Sequence, residues 1–201
     1  MISGSGKTVP EDTGTYPKSA LVTTDTEIES QSMVDYLCSC GHKRIAFITS
    51  GDEGLGRCHL NGYKRSLEKN GLEYDEKLIV RLKPGNRIYT IENGYNCTCE
   101  LLKSGVDFSC IYAISDTLAV GACKAIIDSG KRVPEDYCVA GADGQDIAEY
   151  YHPSITTLEY PRVETAQQSI RTLFDMIDRK KVVKRQMLAG RLIERESTRK
   201  L

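Results

Sequence analysis

Four short apolar runs, RIAFIT (44–49), KLIVRL (77–82), CIYAIS (110–115) and YCVAGA (137–142), each follow a stretch with helical spacing. This alternation constrains the fold more than any other feature of the chain. Before the first run, Ile28, Met33, Val34 and Leu37 recur at helical intervals and the pattern stops at Gly41, a residue suited to the turn after a helix. Helices are predicted in the same way over 57–70, 90–104 and 117–129, ending at Asn70-Gly71, Gly105 and Gly130. The runs are continuous rather than alternating, as expected of strands buried on both faces. Such strands joined by crossover helices predict an α/β fold with a doubly wound parallel sheet. The pattern changes after residue 153. SITTLEYP (154–161) reads as extended, and an amphipathic helix is predicted over 163–178 with Ala166, Ile170, Leu173, Phe174 and Ile177. The strand-like tail QMLAGRLIERES follows.

The formal net charge of -1 gives the chain no overall electrostatic footprint for nucleic acid. Its longest apolar runs are far too short to cross a bilayer, and the first 18 residues lack the apolar core of a secretory signal. The expected location is the cytoplasm. In a reducing compartment the eight cysteines imply no disulfides. LCSCGHKRIAFITSG (37–51) crowds Cys38, Cys40 and His42 together. Residues two apart on a helix point about 200° apart and do not readily share a metal. The C-x-C spacing here and at Cys97/Cys99 also differs from the C-x-x-C of zinc knuckles. The stretch is read as a helix-to-strand joint with free thiols, His42 and Lys43 placing positive charge at a helix C-terminus.

GSGKT (4–8) resembles the end of a phosphate-binding loop, but Met1 stands where the motif needs its first glycine and no strand precedes it. VPED occurs at 9–12 and again at 133–136, too short to signal a repeat. No nucleophile elbow, H-E-x-x-H or G-x-G-x-x-G motif is present. The chain is read as no enzyme, with no cofactor and no metal. Asp116 stands out, because it follows a strand and opens a helix, and ligands of open parallel sheets bind at the carboxyl ends of strands. A carboxylate there can accept hydroxyl hydrogen bonds or act as a plain helix cap.

From Val22 onward the chain resembles the effector-binding core of LacI/GalR-type transcriptional regulators. The resemblance rests on MVDYLCSCGHKRIAFITS, NGYKRSLEKNGL, AISDTLAVGACKAIIDSGKRVPEDYCVAGADG, HPSITTLEYPR and LIERES, in that order. It implies a periplasmic-binding-protein-like fold of two Rossmann-like subdomains holding a small effector, a sugar or similar molecule, between them. It also implies a homodimer that reads operator DNA through a helix-turn-helix headpiece. The headpiece and most of the first subdomain are absent here, so this chain alone is expected not to bind operator DNA. The expected division is a lead-in and remnant strand at 1–22, the effector-binding subdomain at 23–154, a returning crossover and helix at 155–182, and a final strand and tail at 183–201.

By position, the resemblance makes Asp116 the aspartate that hydrogen-bonds effector hydroxyls, and Tyr89 an aromatic that stacks on the effector. The family's effector-gripping arginine falls at His59 here, so either His59 replaces the grip or Arg57, two residues earlier, swings in. A histidine grip would make binding pH-sensitive near its ordinary titration range. Ser115 stands where asparagine is commoner, and Asp143 in GADGQ is a further candidate for cleft contact. A transporter's sugar-binding protein shares this fold and is the alternative reading, disfavoured by the lack of a signal sequence.

Overall fold

A computed structural model describes residues 19–83, 85 and 87–201; GSGKT and the first VPED copy lie outside the described residues. The chain forms β1 (Leu21–Thr24), α1 (Thr26–Ser39), β2 (Ile45–Thr49), α2 (Gly54–Lys69), β3 (Ile79–Arg81), α3 (Ile91–Lys103), β4 (Cys110–Ala113) and α4 (Asp116–Asp128). There follow β5 (Cys138–Asp143), α5 (Asp146–Tyr150), β6 (Thr156–Glu159), α6 (Arg162–Ile177), β7 (Arg185–Leu188) and β8 (Arg191–Ile193). The predicted α/β alternation is present at every step, with the expected elements displaced by a few residues at their ends.

The chain divides into two compact units. The larger comprises Thr26–Glu159 and Arg191–Leu201, and its sheet runs in the order β3-β2-β4-β5-β6-β8. Neighbours from β3 to β6 pair in parallel, whereas β8 lies antiparallel to β6. Every residue of β2 and β4 is buried, so both faces of the sheet are covered. The step from β2 to β3 and the step from β3 to β4 run in opposite directions. Right-handed crossovers therefore put α2 and α3 on opposite faces. The chain reverses its winding between β2 and β4, the position where open α/β sheets bind ligands.

Packing on each face depends on glycine. A Cβ on Gly94 would lie 2.8 Å from the Leu118 Cα, and one on Gly121 would lie 2.7 Å from the Tyr95 nitrogen, so α3 and α4 touch backbone to backbone. Gly62 does the same for α2 against α1, where a Cβ would come 2.9 Å from the Gln31 nitrogen. Asp35 of α1 fastens that pair further, accepting from Ser66 Oγ at 2.5 Å, Lys69 Nζ at 2.6 Å and Asn70 Nδ2 at 2.9 Å. Beneath, the Phe47 ring stacks between Tyr63 and Tyr112, with centroids 4.9 and 5.1 Å away.

Residues 197–201 close the sheet at its amino-terminal edge. Ser197 Oγ donates to the Val139 carbonyl at 2.6 Å and accepts from the Thr156 amide at 2.8 Å, bridging β5 and β6. The Val139 amide donates to the Ser197 carbonyl at 2.9 Å, and the Ser197 amide to that of Ser154 at 2.9 Å. The Leu201 amide donates to the Cys40 carbonyl at 2.8 Å. At the joint between α1 and β2, Gly41 adopts φ 98° as the helix-ending residue expected there. His42 differs from expectation. It is buried, its Nδ1 lies 2.8 Å from Ser109 Oγ, and burial lowers its pKa. It therefore supplies no positive charge to the helix end. All eight cysteines are free thiols.

The described part of the smaller unit comprises residues 19–25 and 160–190. In it β1 and β7 pair in parallel, Leu21 opposite Arg185 through Thr24 opposite Leu188. The tail expected as one strand is thus split, with β7 in the small sheet and β8 in the large one. β6 likewise belongs to the large sheet, so the crossing falls after Glu159 rather than near residue 154. α6 carries the expected apolar residues, but Val163, Ile170, Phe174 and Ile177 are each more than half exposed, and it is Ser169 and Thr172 that are buried. Hydrogen bonds fix this rotation: Gln168 Nε2 donates to Gln186 Oε1 at 2.6 Å, and Gln186 Nε2 to Thr172 Oγ1 at 2.9 Å. No helix among the described residues is long and apolar enough to cross a membrane.

Candidate functional site

In a parallel sheet every strand-to-helix loop emerges at the carboxyl edge. Five residues singled out from sequence fall at the end of a strand, on such loops or within the first two turns of the helix that follows. Arg57 and His59 lie in the first turns of α2 after β2, Tyr89 precedes α3, Asp116 opens α4, and Asp143 ends β5. The loop after β2 is tied to the neighbouring strand, since Arg81 Nε contacts both oxygens of Asp52 at 2.9 and 2.8 Å. Thr90 caps α3 by accepting from the Asn93 amide at 3.1 Å, and the preceding Tyr89 is 44% exposed.

Asp116 has a different setting from the one its sequence context predicts. The side chain is fully buried. Oδ2 accepts from the Gln145 amide at 2.6 Å and Oδ1 from the Thr157 hydroxyl at 2.6 Å, so both oxygens already have internal donors. Ser115, not Asp116, caps α4, accepting from the Leu118 amide at 3.3 Å. Burial pushes the Asp116 carboxyl up to about 7, with the Thr157 and Gln145 donors and Arg195 opposing and Asp143 reinforcing the rise. Gly141 leaves room for this carboxylate, because a Cβ there would lie 3.2 Å from the Asp116 Cα and closer still to Oδ1.

Asp143 is the acid at the edge itself. It is half-buried and holds φ 99°, a region that non-glycine residues seldom occupy. Its Oδ2 accepts from Gln145 Nε2 at 3.1 Å. Backbone strain of this kind concentrates at functional sites. The following Gly144 has φ 63°, and its amide donates to Thr157 Oγ1 at 3.3 Å.

His59 and Arg57 point differently, as their spacing on a helix predicts. Arg57 is exposed. His59 is half-buried, but its Nδ1 is sealed from solvent with no hydrogen-bond partner. Burial brings its pKa down to about 4. The expected pH sensitivity near its ordinary range therefore moves to lower pH, because burial keeps the imidazole neutral at pH 7. The sign follows from proton linkage. The unfolded chain binds a proton on His59 below about 6.5 and the folded chain does not until about 4, so stability falls as pH drops through that window. Relative to His59→Gln, the wild-type protein should lose stability progressively between those pH values and stay level above them, as chemical denaturation at stepped pH will measure.

Sequence reasoning overlooked Thr157, Gln145 and Arg195, which set the environment of Asp116. Thr157 is 41 residues away and reaches Asp116 only because β6 pairs with β5. No local pattern signals such a partner.

Residues 34–198 match the periplasmic binding protein-like domain family. This chain belongs to that family. The periplasmic-binding-protein-like domain is 38% identical over 146 residues to the HTH-type transcriptional regulator MalR of Clostridium butyricum, covering 73% of this chain and 42% of MalR. Among solved structures it is similar to a LacI-family sugar-binding transcriptional regulator from Escherichia coli complexed with phosphate. That likeness has a TM-score of 0.82 and 33% identity, and covers 90% of this chain and 64% of the other. A LacI-family regulator from Enterococcus faecium with bound ribose gives a TM-score of 0.79 at 28% identity, covering 92% of this chain and 66% of the other. The chain thus spans about half the length of the curated relatives it matches. Its homologues are transcriptional regulators rather than enzymes.

Proposed function

We propose that this domain is the effector-binding portion of a LacI-type transcriptional regulator and binds a sugar or similar polyhydroxylated small molecule. The binding surface is the carboxyl edge of the large sheet. Asp143 accepts effector hydroxyls, Tyr89 stacks on the ring, and neutral His59 or exposed Arg57 contributes a donor from α2. Asp116 supports the site from within. The observation that carries this reading is the strained Asp143 at the carboxyl end of β5, one strand from the point where the winding reverses. The relatives' functions support it, one of them having been solved with ribose. In the complete regulator the partners are operator DNA, through a helix-turn-helix headpiece, and a second copy of the chain, and the site of action is the cytoplasm.

The test is a titration of the uniformly 15N-labelled chain with ribose, followed through backbone amide shifts. Binding to one wall of the site should be weak, with a dissociation constant of about 1 mM or above, equivalent to about 4 kcal/mol or less. Saturable shifts should appear at Asp143–Gln145 and in the first turn of α2, and Asp143→Ala should abolish them. A related pentose or disaccharide that competes more strongly would refine the effector. Shifts confined to other surfaces, or none with any sugar tried, would sink the assignment.

A further inference from the structure

Among the described residues, Asp116 is the one carboxylate of this edge that is wholly enclosed, and both of its side-chain hydrogen bonds lead to the loop that carries Asp143. Gln145 is reached directly, amide nitrogen to Oδ2 at 2.6 Å. Gly144 is reached in two steps, its amide donating to Thr157 Oγ1 at 3.3 Å and that hydroxyl donating to Asp116 Oδ1 at 2.6 Å. The Gln145 side chain completes the circuit, with Nε2 donating to Asp143 at 3.1 Å and Oε1 lying 3.4 Å from Thr117 Oγ1. Two consecutive residues of positive φ, Asp143 and Gly144, are thus held by bonds that converge on one buried side chain.

We propose that Asp116 is a positioning residue, which sets the backbone of Asp143–Gln145 through the Gln145 amide and the Thr157 hydroxyl and so fixes how Asp143 is presented. That Asp143 then meets an effector rests on the function proposed above; the positioning itself does not.

The protonation state of Asp116 decides how firmly the loop is held. An ionised carboxylate accepts from both donors, and Thr157 is free to receive the Gly144 amide. A protonated carboxyl must place its hydrogen on one oxygen. If Oδ1 carries it, the bond to Thr157 reverses, and the Thr157 oxygen must accept from Gly144 and Asp116 together while its own hydrogen loses its acceptor. Charged and titratable groups face Asp116 from every side. Asp143 approaches from β5, Tyr112 belongs to β4, and Arg195 comes from the final segment, where its Nη1 donates to the Ile155 carbonyl at 3.0 Å. Arg195 favours the ionised form and Asp143 the protonated form. Burial outweighs both and places the titration at about 7, so the loop passes between its two hydrogen-bonding states near neutral pH.

The experiment is a pH titration of backbone amide shifts in the full chain without ligand, from about pH 5 to about pH 9. In the wild type, the Gln145 and Gly144 amides should titrate together with one midpoint near 7. In Asp116→Asn both should be flat while the rest of the spectrum persists. In Thr157→Val, Gln145 should still titrate and Gly144 should not. If Asp116→Asn does not fold, the wild type and Thr157→Val decide the matter between them. Amides that show no midpoint near neutral pH, or a midpoint that survives Asp116→Asn and vanishes in Asp143→Asn, would overturn the proposal. Because no effector is added, the outcome is independent of whether the domain binds a sugar.

Discussion

Gly121→Ala is expected to destabilise the larger unit by about 3 kcal/mol or more, at the upper end of what overpacking costs. The sign is informative. In an unconstrained helix interior, replacing glycine by alanine stabilises by about 1 kcal/mol, because it removes backbone freedom from the unfolded chain. Here the added methyl group would lie 2.7 Å from the Tyr95 nitrogen and closer still to the Ile91 carbonyl oxygen, both backbone atoms of α3. Backbone cannot rotate out of the way as a side chain can, so α3 and α4 must separate. Separation opens space around Leu118, Val120 and Ala122, all buried in the core. Gly94→Ala should behave alike, since its Cβ would strike Leu118 of α4. Gly85→Ala is the control, because among the described residues its Cβ would meet only Ile88 Cγ2 at 3.9 Å. Urea denaturation of the three variants will rank them. A Gly121→Ala protein as stable as the control would show that the two helices do not cross in contact.

Ser197→Ala is expected to cost roughly 2–6 kcal/mol, from leaving two buried backbone groups without partners at about 1–3 kcal/mol each. The residue is fully buried, and its hydroxyl is at once the donor to Val139 O and the acceptor for Thr156 N. Removing residues 197–201 should cost more than the single change, because the amide of Val139 and the carbonyls of Ser154 and Cys40 lose partners as well. The thermal midpoint of the two proteins is the measurement. A truncated chain that melts with the wild type would show that the tail is not part of the folded sheet.

The sheet was legible in the sequence because its strands are continuous apolar runs, and the helices between them because glycine marks their ends. Phe47, Ile111 and Val139 needed no partner information to be placed in the core. Where sequence reasoning stopped short, the missing fact was a relation between distant residues. α5 has five residues, too few to show a period. Gly190 separates two strands that belong to different sheets, a distinction that depends on β1, some 165 residues earlier, and not on the local pattern. The rotation of α6 depends on Gln186, whose role as a hydrogen-bonding partner no helical periodicity could announce. The site followed the same division. That Arg57, His59, Tyr89 and Asp143 share one edge follows from the rule that loops of a parallel sheet emerge together. That Asp116 turns inward follows from Thr157 and Gly141, which only the strand register brings beside it.

The position of Ser197 between β5 and β6 also bears on the rate of folding. The Tyr36 hydroxyl lies 2.9 Å from Thr198 Oγ1, a contact that spans 162 residues. Loops of that length close late, and chains rich in distant contacts fold in milliseconds to seconds rather than microseconds. The central strands can assemble from nearer neighbours, but β5 and β6 share their bridging hydroxyl only once the far end of the sequence has arrived. A chain interrupted before Ser197 would leave the Val139 carbonyl and the Thr156 amide without their hydroxyl partner inside the sheet. The tail thus bears on the route to the native state as well as on its stability.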